Sequence, residues 1–244
     1  MKISKTREKQ RFIERRPPRK KNLPEPPKIP ESFSPPKFAD NVFDFSPIGK
    51  IFYINLESRK DRRVEMEAQF ENLGIPADKI ERIEAVPDSF GAIGCTRSHI
   101  KAIQLAQQQG LKNALILEDD FNFTVEYLHE NLAELKHLNF AWDVIMFSGN
   151  LLRHTNHSTV FSKVVKALTS AGYLVNGGYY QTLLKNYQQG LEKLITSRSK
   201  LHYAIDEWFS KLQPRDKWFI FVKKAGYQRC SYSDIEKRIV SYGC

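Results

Sequence analysis

Three consecutive acidic residues, Glu118, Asp119 and Asp120, follow a continuous apolar run over residues 114–117, with no basic residue beside them. Such a run is typical of a central strand that is covered on both faces. Carboxylates rarely stay buried unless they are paired or hold a cation. Open α/β sheets bind ligands at the carboxyl ends of their strands. Because oxygen-only ligands suit Mg²⁺ or Mn²⁺, the triplet predicts a divalent-metal site at the end of a strand.

The elements that must position this triplet alternate along the chain. Short apolar runs rich in β-branched and aromatic residues predict strands over residues 50–56, 80–86, 114–117, 142–147 and 218–222. Residues 159–168 alternate weakly and predict an edge strand, whereas Arg153, His154 and His157 form a basic segment predicted to be a solvated loop. Helical periodicity fills the intervals, and Thr124 is a candidate N-cap. The pattern predicts an α/β domain with a mostly parallel sheet.

The segment before the acidic strand predicts a helix that begins after Gly94. Ser98 and His99 are expected in its first turn, where His99 shares a face with apolar Ala102 and Ile103. That pattern favours a packed, hydrogen-bonded histidine. The Ser-His pair does not supply a nucleophile and its base, because consecutive residues of a helix point apart.

The beginning of the chain differs in composition from the rest. Of the 38 Lys/Arg and 12 Pro residues, 13 and 9 lie within residues 1–50, so the net charge of +10 belongs mostly to this part. Proline favours extended conformations and blocks helix and sheet. We therefore predict a basic, proline-rich disordered arm over residues 1–47 and a catalytic domain over residues 48–244. Phenylalanines at the end of the arm indicate packing onto the domain: Phe33, Phe38, Phe43 and Phe45.

Two interpretations of the arm remain open: a solvated tail or linker, or a docking arm for an anionic membrane surface, an acidic partner or nucleic acid. The N-terminus lacks the apolar core of a secretory signal, and no apolar run reaches the roughly 18 residues of a membrane span. The three cysteines, Cys95, Cys230 and Cys244, show no framework spacing, which favours a reducing compartment. These patterns predict a cytoplasmic protein without a signal peptide, with peripheral membrane association as an option.

One pair of motifs resembles glycosyltransferase family 25, which includes lipopolysaccharide and procollagen galactosyltransferases. Gly94-Cys95-Thr96-Arg97-Ser98-His99 is followed about twenty residues later by Leu117-Glu118-Asp119-Asp120. Flanking segments are also similar to the family, namely Ile54-Asn55-Leu56 with Arg59 and Arg62, Ala85-Val86-Pro87-Asp88, Ala204–Phe209 around Asp206, and Gln228 followed by Ser233-Asp234-Ile235. Pro87 interrupts the family pattern in the second of these. The resemblance covers nearly everything except the arm.

The resemblance implies a nucleotide-diphospho-sugar transferase (GT-A) fold, a single Rossmann-like domain. It also implies Glu118 on the ribose side of the nucleotide, Asp120 on the metal with Glu118 and Asp234 as further metal-side acids, and Asp119 between them. Asp206, with Glu207 second, is implied as the carboxylate near the acceptor. The nucleotide-binding residues implied are Asn55, Arg59, Arg62, Ala85, Ser98, His99, Glu118, Asp119 and Gly178. Purely structural explanations remain possible for several of these residues. The arginines could be solvated in the first helical turn, Gly178 could form a simple turn, and Asp206 could be an acid favoured by a helix N-terminus.

The resemblance further implies a UDP-sugar donor, transfer of galactose or glucose with inversion, and assistance by Mn²⁺ or Mg²⁺. The acceptor would be a hydroxyl of a glycan, glycolipid or protein. Without a signal or retention motif, a stand-alone enzyme acting on a glycan or glycolipid is expected rather than one acting on secreted collagen.

Two other classes of function remain as alternatives. A metal-dependent nuclease or phosphotransferase would use the acids together with the basic arm on nucleic acid. The near-neutral body makes nucleic acid the less favoured partner. A catalytically silent sugar-nucleotide-binding module would keep the fold without turnover, although the three intact acids argue against it.

Overall fold

The computed structural model describes residues 43–233 and 238–240. Residues 1–42, most of the predicted arm, lie outside this range. Phe43 and Phe45 are only 7% and 2% exposed, and the ring of Phe45 meets that of Phe123 edge-on at 5.9 Å between centroids. Phe43 and Phe45 therefore pack onto the domain as predicted, whereas Phe33 and Phe38 lie outside the described residues.

Strands and helices alternate through most of the described chain. The strands are β1 (Lys50–Asn55), β2 (Ile80–Glu84), β3 (Asn113–Glu118), β4 (Phe121–Phe123), β5 (Val144–Met146), β6 (Asn150–Asn156), β7 (Phe161–Leu168), β8 (Gly172–Asn176), β9 (Trp218–Phe221), β10 (Gly226–Gln228), β11 (Ser231–Ser233) and β12 (Arg238–Val240). The helices are α1 (Lys60–Asn72), α2 (Gly91–Gln108), α3 (Val125–Lys136), α4 (Tyr180–Ser197), α5 (Lys200–Tyr203) and α6 (Ile205–Phe209). Single 3₁₀ turns occupy Ala77–Lys79 and Gly177–Tyr179.

Eight of these strands form the central sheet in the order β2-β1-β3-β8-β5-β9-β7-β6. Six of the eight run in one direction, and only β7 and β8 run in the other. The predicted α/β domain with a mostly parallel sheet is thus confirmed. The antiparallel strand β8 lies between β3 and β5, in the middle of the sheet.

Apolar clusters cover the sheet on both faces. Along β3, Ala114 and Ile116 pack into one cluster with residues of α2 and α4, whereas Leu115 and Leu117 pack into the other with residues of α1 and α3. Side chains of a strand alternate between faces, so a strand covered on both sides must be apolar at every position. All four residues are fully buried, as predicted for a central strand.

Two small two-stranded sheets accompany the central one. β10 pairs antiparallel with β4, directly after the acidic triplet, and β11 pairs antiparallel with β12. A Cβ placed on Gly172 or Gly226 would lie 2.5 Å or 2.1 Å from the ring of Phe121, so the absence of a side chain at both positions leaves room for this ring. The ring in turn fixes the backbone that follows Asp120.

Several local predictions are wrong. Strand β7 is not at the edge of the sheet, because β6 lies outside it and carries Arg153 and His154 in a strand. His157 is an exposed residue outside regular secondary structure, so the predicted solvated loop holds for this residue alone, and its ring lies 4.5 Å from that of Phe140 between centroids. Thr124 occupies the N-cap of α3 but makes no capping hydrogen bond with its side chain.

The prediction that Ser98 and His99 lie in the first turn of their helix is also wrong. Helix α2 begins at Gly91, three residues before Gly94, so both side chains lie further along the helix. Gly94 is inside the helix, where a Cβ would come within 2.4 Å of the carbonyl oxygen of Val86. Glycine there allows the helix to approach the chain that leaves β2. In the part of the chain described, no helix combines the length and apolar character needed to cross a membrane.

Candidate functional site

A cavity of about 620 Å³ lies where β1, β2 and β3 end. Its walls come from the residues after these strands, the first half of α2, the turn between β7 and β8, and the segment around α5 and α6. The residues implied by the resemblance that line it are Arg62, Ala85, Ser98, His99, Glu118, Asp119, Asp120, Asp206 and Glu207. The whole lining runs from Ile54 to Gln228, so the fold gathers residues up to 174 positions apart in sequence around one concave surface.

Asp119 is held from two sides at the edge of this cavity. Asn55, at the end of β1, donates from Nδ2 to its Oδ2 over 2.8 Å, and Arg62 donates from Nη1 to its Oδ1 over 2.6 Å. Burial raises the pKa of the Asp119 carboxyl, although the charge of Arg62 opposes this. Because the Asp119 carboxylate is paired with the guanidinium of Arg62 and also bound by Asn55, this residue fixes the acidic turn.

Asp120 is the acid with unused bonding capacity. Its Oδ2 lies 3.2 Å from Nη1 of Arg62 and accepts from Nε2 of Gln228 at 3.3 Å. Its Oδ1 is buried and has no hydrogen-bond partner among the described residues. Burial and the neighbouring charge of Glu118 raise the pKa of Asp120 to about 7. A buried oxygen with this electrostatic environment is suited to a cation.

Glu118 ends a buried chain of hydrogen bonds. With its imidazole proton on Nε2, His99 donates to Oε1 of Glu118 at 3.3 Å, while its Nδ1 accepts from the hydroxyl of Tyr173 at 2.8 Å. The hydroxyl of Tyr187 donates to that of Tyr173 over 3.1 Å. The hydroxyl of Ser170 also donates to Glu118, over 2.6 Å. Burial opposes ionisation of Glu118, yet hydrogen bonding from His99 and Ser170 leaves its pKa below the usual value.

Asp206 reaches the cavity from the start of α6. The backbone N–H of Thr169 donates to its Oδ2 over 3.1 Å, and the backbone N–H of Glu207 donates to its Oδ1. Burial raises the pKa of Asp206, and the charge of Glu118 adds to this effect. Thr169 has φ of 73°, a left-handed conformation that is unusual for a β-branched residue. Such strained residues concentrate at functional sites, where the surrounding structure holds them in place.

Two sets of side chains could hold a divalent cation here. Glu118 and the unpartnered Oδ1 of Asp120 offer the hard oxygen ligands that Mg²⁺ and Mn²⁺ prefer, so these residues fit such an ion. The ligand atoms of Cys95, His99 and Glu118 lie within 4.8 Å of one another and form a softer set. Burial raises the pKa of the Cys95 thiol well above its usual value, which disfavours the thiolate that metals bind. Asp234, the third predicted metal-side acid, lies outside the described residues.

Three residues predicted to bind nucleotide are not part of the cavity lining. Asn55 is 1% exposed, and its amide is engaged with Asp119, the carbonyl of Arg59 and the guanidinium of Arg82. Arg59 pairs with Asp61 at 2.8 Å. Gly178 follows β8, whose end at Asn176 lies opposite Asn113 at the beginning of β3. Because β8 is antiparallel to β3, Gly178 lies at the opposite end of the sheet from the acids.

Ser98 and Ala85 take structural positions in the cavity wall. The hydroxyl of Ser98 donates to the carbonyl of Gly94 and accepts from the backbone N–H of Val86, which ties α2 to the chain leaving β2. The backbone N–H of Ala85 donates to the carbonyl of Asn55. These contacts set the shape of the cavity wall next to the acids.

Several residues at the site were missed by sequence reasoning. Thr169 and Ser170 carry no signal in the sequence, because they lie in the turn after β7 and meet the acids only through the fold. Tyr173, whose hydroxyl contacts His99, was also not predicted. Arg229 donates to the carbonyl of Asp119 and its backbone N–H donates to that of Asp120. Its neighbour Gln228 belonged to a quoted motif, which was the one available signal.

Comparison with known proteins identifies the family of this chain. A family model described as "Glycosyltransferase family 25 (LPS biosynthesis protein)" matches residues 84–209, just over half of the chain. The chain therefore belongs to glycosyltransferase family 25, and its fold is the GT-A type of α/β domain that the resemblance implied. The matched range contains the glycine-rich start of α2, the acidic triplet and Asp206.

The individual proteins to which the chain is similar have sequence identities of 29% or less. A glycosyltransferase 25 family member from Drosophila pseudoobscura pseudoobscura is 29% identical over 71% of this chain and 32% of its own length. One from Drosophila melanogaster is 29% identical over 56% of this chain and 26% of its own length. The chain thus spans about a third or less of these relatives. A solved glycosyltransferase involved in glycosylation of the major capsid of PBCV-1 is 10% identical with a TM-score of 0.41, covering 70% of this chain and 81% of that one.

Proposed function

We propose that this protein transfers a hexose, galactose or glucose, from a UDP-sugar to a hydroxyl of a glycan, glycolipid or protein, with inversion at the anomeric carbon. One observation carries the proposal. A single cavity joins the acids that follow β3 with a separate carboxylate, Asp206, on another element. Such a transfer needs a site for the departing diphosphate and a base for the acceptor, and the two sets of acids suit these two tasks.

The leaving group sets the first requirement. UDP departs as an anionic diphosphate, so positive charge must be held beside it. Glu118 and Asp120 would hold Mg²⁺ or Mn²⁺, which supplies Lewis-acid stabilisation of that charge when bound. The guanidinium of Arg62 adds a permanent positive charge in the same wall of the cavity. Asn55 and Arg62 keep Asp119 in place, and through it the backbone of the whole triplet.

The acceptor sets the second requirement. Its hydroxyl oxygen forms the new bond to the anomeric carbon while the bond to UDP breaks, and the hydroxyl proton needs a base. Asp206 suits this role because burial raises its pKa and because two backbone N–H groups fix its orientation. Glu207 is the second candidate, since it lines the same cavity. Attack from the side of the sugar opposite to UDP gives inversion.

The alternatives are weaker on the same observations. A nuclease or phosphotransferase would depend on the basic arm, whereas the cavity here is built wholly within residues 54–228. A silent binding module is disfavoured because Glu118, Asp120 and Asp206 all line one cavity. The lipopolysaccharide named in the family description is one candidate class of acceptor.

Calorimetric titration of UDP tests the donor site. We expect wild-type protein to bind UDP in the presence of Mn²⁺, with binding strongly weakened in EDTA and in Asp120→Ala. A panel of UDP-sugars with candidate acceptors then identifies the transferred hexose. If UDP does not bind under any condition, the transferase proposal fails. If UDP binds but no sugar is turned over on any acceptor, the silent module is favoured instead.

A further inference from the structure

A second, shallower cavity of about 440 Å³ adjoins the first. Leu201 and Glu207 line both cavities, so the two cavities share part of their walls. The remaining walls come from β6, β7, α5 and the turn after α6, with side chains of Arg153, Val165, Lys166, His202, Tyr203, Ser210, Lys211 and Pro214. None of these residues belongs to the acidic site described above.

The charge of this second cavity is the reverse of that of the first. Arg153, Lys166 and Lys211 contribute three cations, whereas Glu207 is the only acid in its wall. Within the described part of the chain, none of the three cations forms an ion pair with a carboxylate. A concave surface with one sign of charge attracts counter-ions, and arginine binds phosphate and carboxylate groups in particular.

Aromatic rings hold one of these cations in place. The Nζ of Lys211 lies 3.4 Å from the ring centroid of Trp208 and 5.9 Å from that of Tyr203, and Nζ of Lys193 lies 5.7 Å from the Trp208 ring. Burial lowers the pKa of Lys211, and the charge of Lys193 lowers it further, so cations crowd each other here. An anion bound in the cavity would relieve this repulsion.

We propose that the second cavity binds an anionic group, a phosphate or a carboxylate, on the acceptor saccharide. This inference rests on the proposed transferase function. An acceptor must place its hydroxyl at the donor cavity next to Asp206, and the rest of the acceptor must extend along an adjoining surface. The rim shared at Glu207 and Leu201 provides that adjoining surface, and the cations beyond it select a charged sugar over a neutral one.

The test compares charged and neutral sugars that differ in one group. Binding of glucose 6-phosphate, glucuronic acid and glucose to the full chain is measured by ligand-observed NMR titration, and inorganic phosphate is titrated alongside them. The phosphate sugar and the carboxylate sugar separate the two sources of negative charge. We expect at least one charged sugar to bind about tenfold more tightly than glucose and more tightly than inorganic phosphate.

The variant Arg153→Gln/Lys166→Gln removes two cations from the cavity. Its matched control, Lys112→Gln/Lys185→Gln, removes two exposed lysines that line neither cavity. We expect the first variant to lose the preference for the charged sugar and the control to keep it. Both should retain Mn²⁺-dependent UDP binding, which reports the donor site separately.

Each outcome has a defined meaning. Equal affinity for charged sugars and glucose overturns the inference, and so does a preference that survives in Arg153→Gln/Lys166→Gln or disappears equally in the control. Inorganic phosphate that binds as tightly as the charged sugars also overturns it, because the cavity would then not recognise a saccharide. Failure of wild-type protein to bind UDP, with the charged-sugar preference intact, would count against the transferase proposal and not against the anionic site.

Discussion

The Nη1 atom of Arg62 lies 2.6 Å from Oδ1 of Asp119 and 3.2 Å from Oδ2 of Asp120. One guanidinium therefore serves two buried carboxylates, and Glu118 adds a third acid nearby. The three acids carry more negative charge than this arginine neutralises. Burial together with this imbalance raises the pKa of Asp120 to about 7, and both make this position suited to a cation.

Removal of Arg62 should destabilise the protein. The variant Arg62→Gln leaves two buried carboxylates without their cation, so we expect a loss of about 3 kcal/mol in the free energy of unfolding. Urea denaturation in EDTA measures it. Arg63→Gln is the matched control, because Arg63 lies on the same helix with a partly exposed side chain and pairs with Glu67. Equal effects of the two substitutions would contradict the buried charge pairing.

Asp120→Asn should stabilise the metal-free protein while removing a ligand of the proposed metal site. The folded-state pKa of Asp120 is about 7, above the ordinary value of 3.8. The folded state therefore binds the proton more tightly, and ionisation costs stability as pH rises from about 4 to about 7. Asparagine avoids this cost. Thermal unfolding in EDTA should show a larger gain for the variant at pH 8 than at pH 5, and a gain independent of pH would refute the assignment.

Asp206→Asn should impair transfer without impairing donor binding. Loss of a general base reduces turnover by about 100- to 10,000-fold, whereas Asp206 makes no contribution to the proposed UDP site. Steady-state kinetics with calorimetry of UDP separates the two effects. Glu207→Gln is the comparison, and we expect it to lower turnover by less than about tenfold. A larger loss in Glu207→Gln than in Asp206→Asn would reverse the assignment of the base.

Two buried tyrosines should respond differently to loss of their hydroxyl groups. Tyr173→Phe removes the donor to Nδ1 of His99 and should cost about 1–3 kcal/mol of stability, because a buried nitrogen loses its partner. The hydroxyl of Tyr180 is also buried but has no partner among the described residues, so Tyr180→Phe should be neutral or stabilising. Denaturant unfolding of both variants checks this. The hydrogen-bond chain to Glu118 would be refuted if Tyr173→Phe were neutral.

The parts of the fold that follow from local pattern were predictable from the sequence. The apolar run of β3 and the acids after it are consecutive residues, so the strand and its burial could be predicted from this segment alone. His99 was placed correctly on the apolar face of α2, since helical periodicity alone sets that face. In contrast, the start of α2 was placed too late, because the glycines at its beginning are consistent with either a turn or a closely packed helix.

The remaining parts depend on which strands become neighbours. Gly178 was predicted to be at the nucleotide site because the resemblance places a small residue at the start of a helix there, but β8 runs antiparallel to β3, so Gly178 lies at the other end of the sheet. The same reversal brings Thr169 and Ser170, which precede β8, to Asp206 and Glu118. No periodicity within a single strand encodes the direction of its neighbours.

The pairing of β10 with β4 also determines when the site can form during synthesis of the chain. Gln228, which donates to Asp120, follows it by 108 residues in the chain. At roughly 5–20 residues per second, a ribosome needs about 5–20 s to synthesise that interval. During this delay β4 has no partner strand, and Asp120 lacks its hydrogen bond from Gln228. The acidic turn is therefore completed only near the end of synthesis, because β8 and β10 both follow it in the chain.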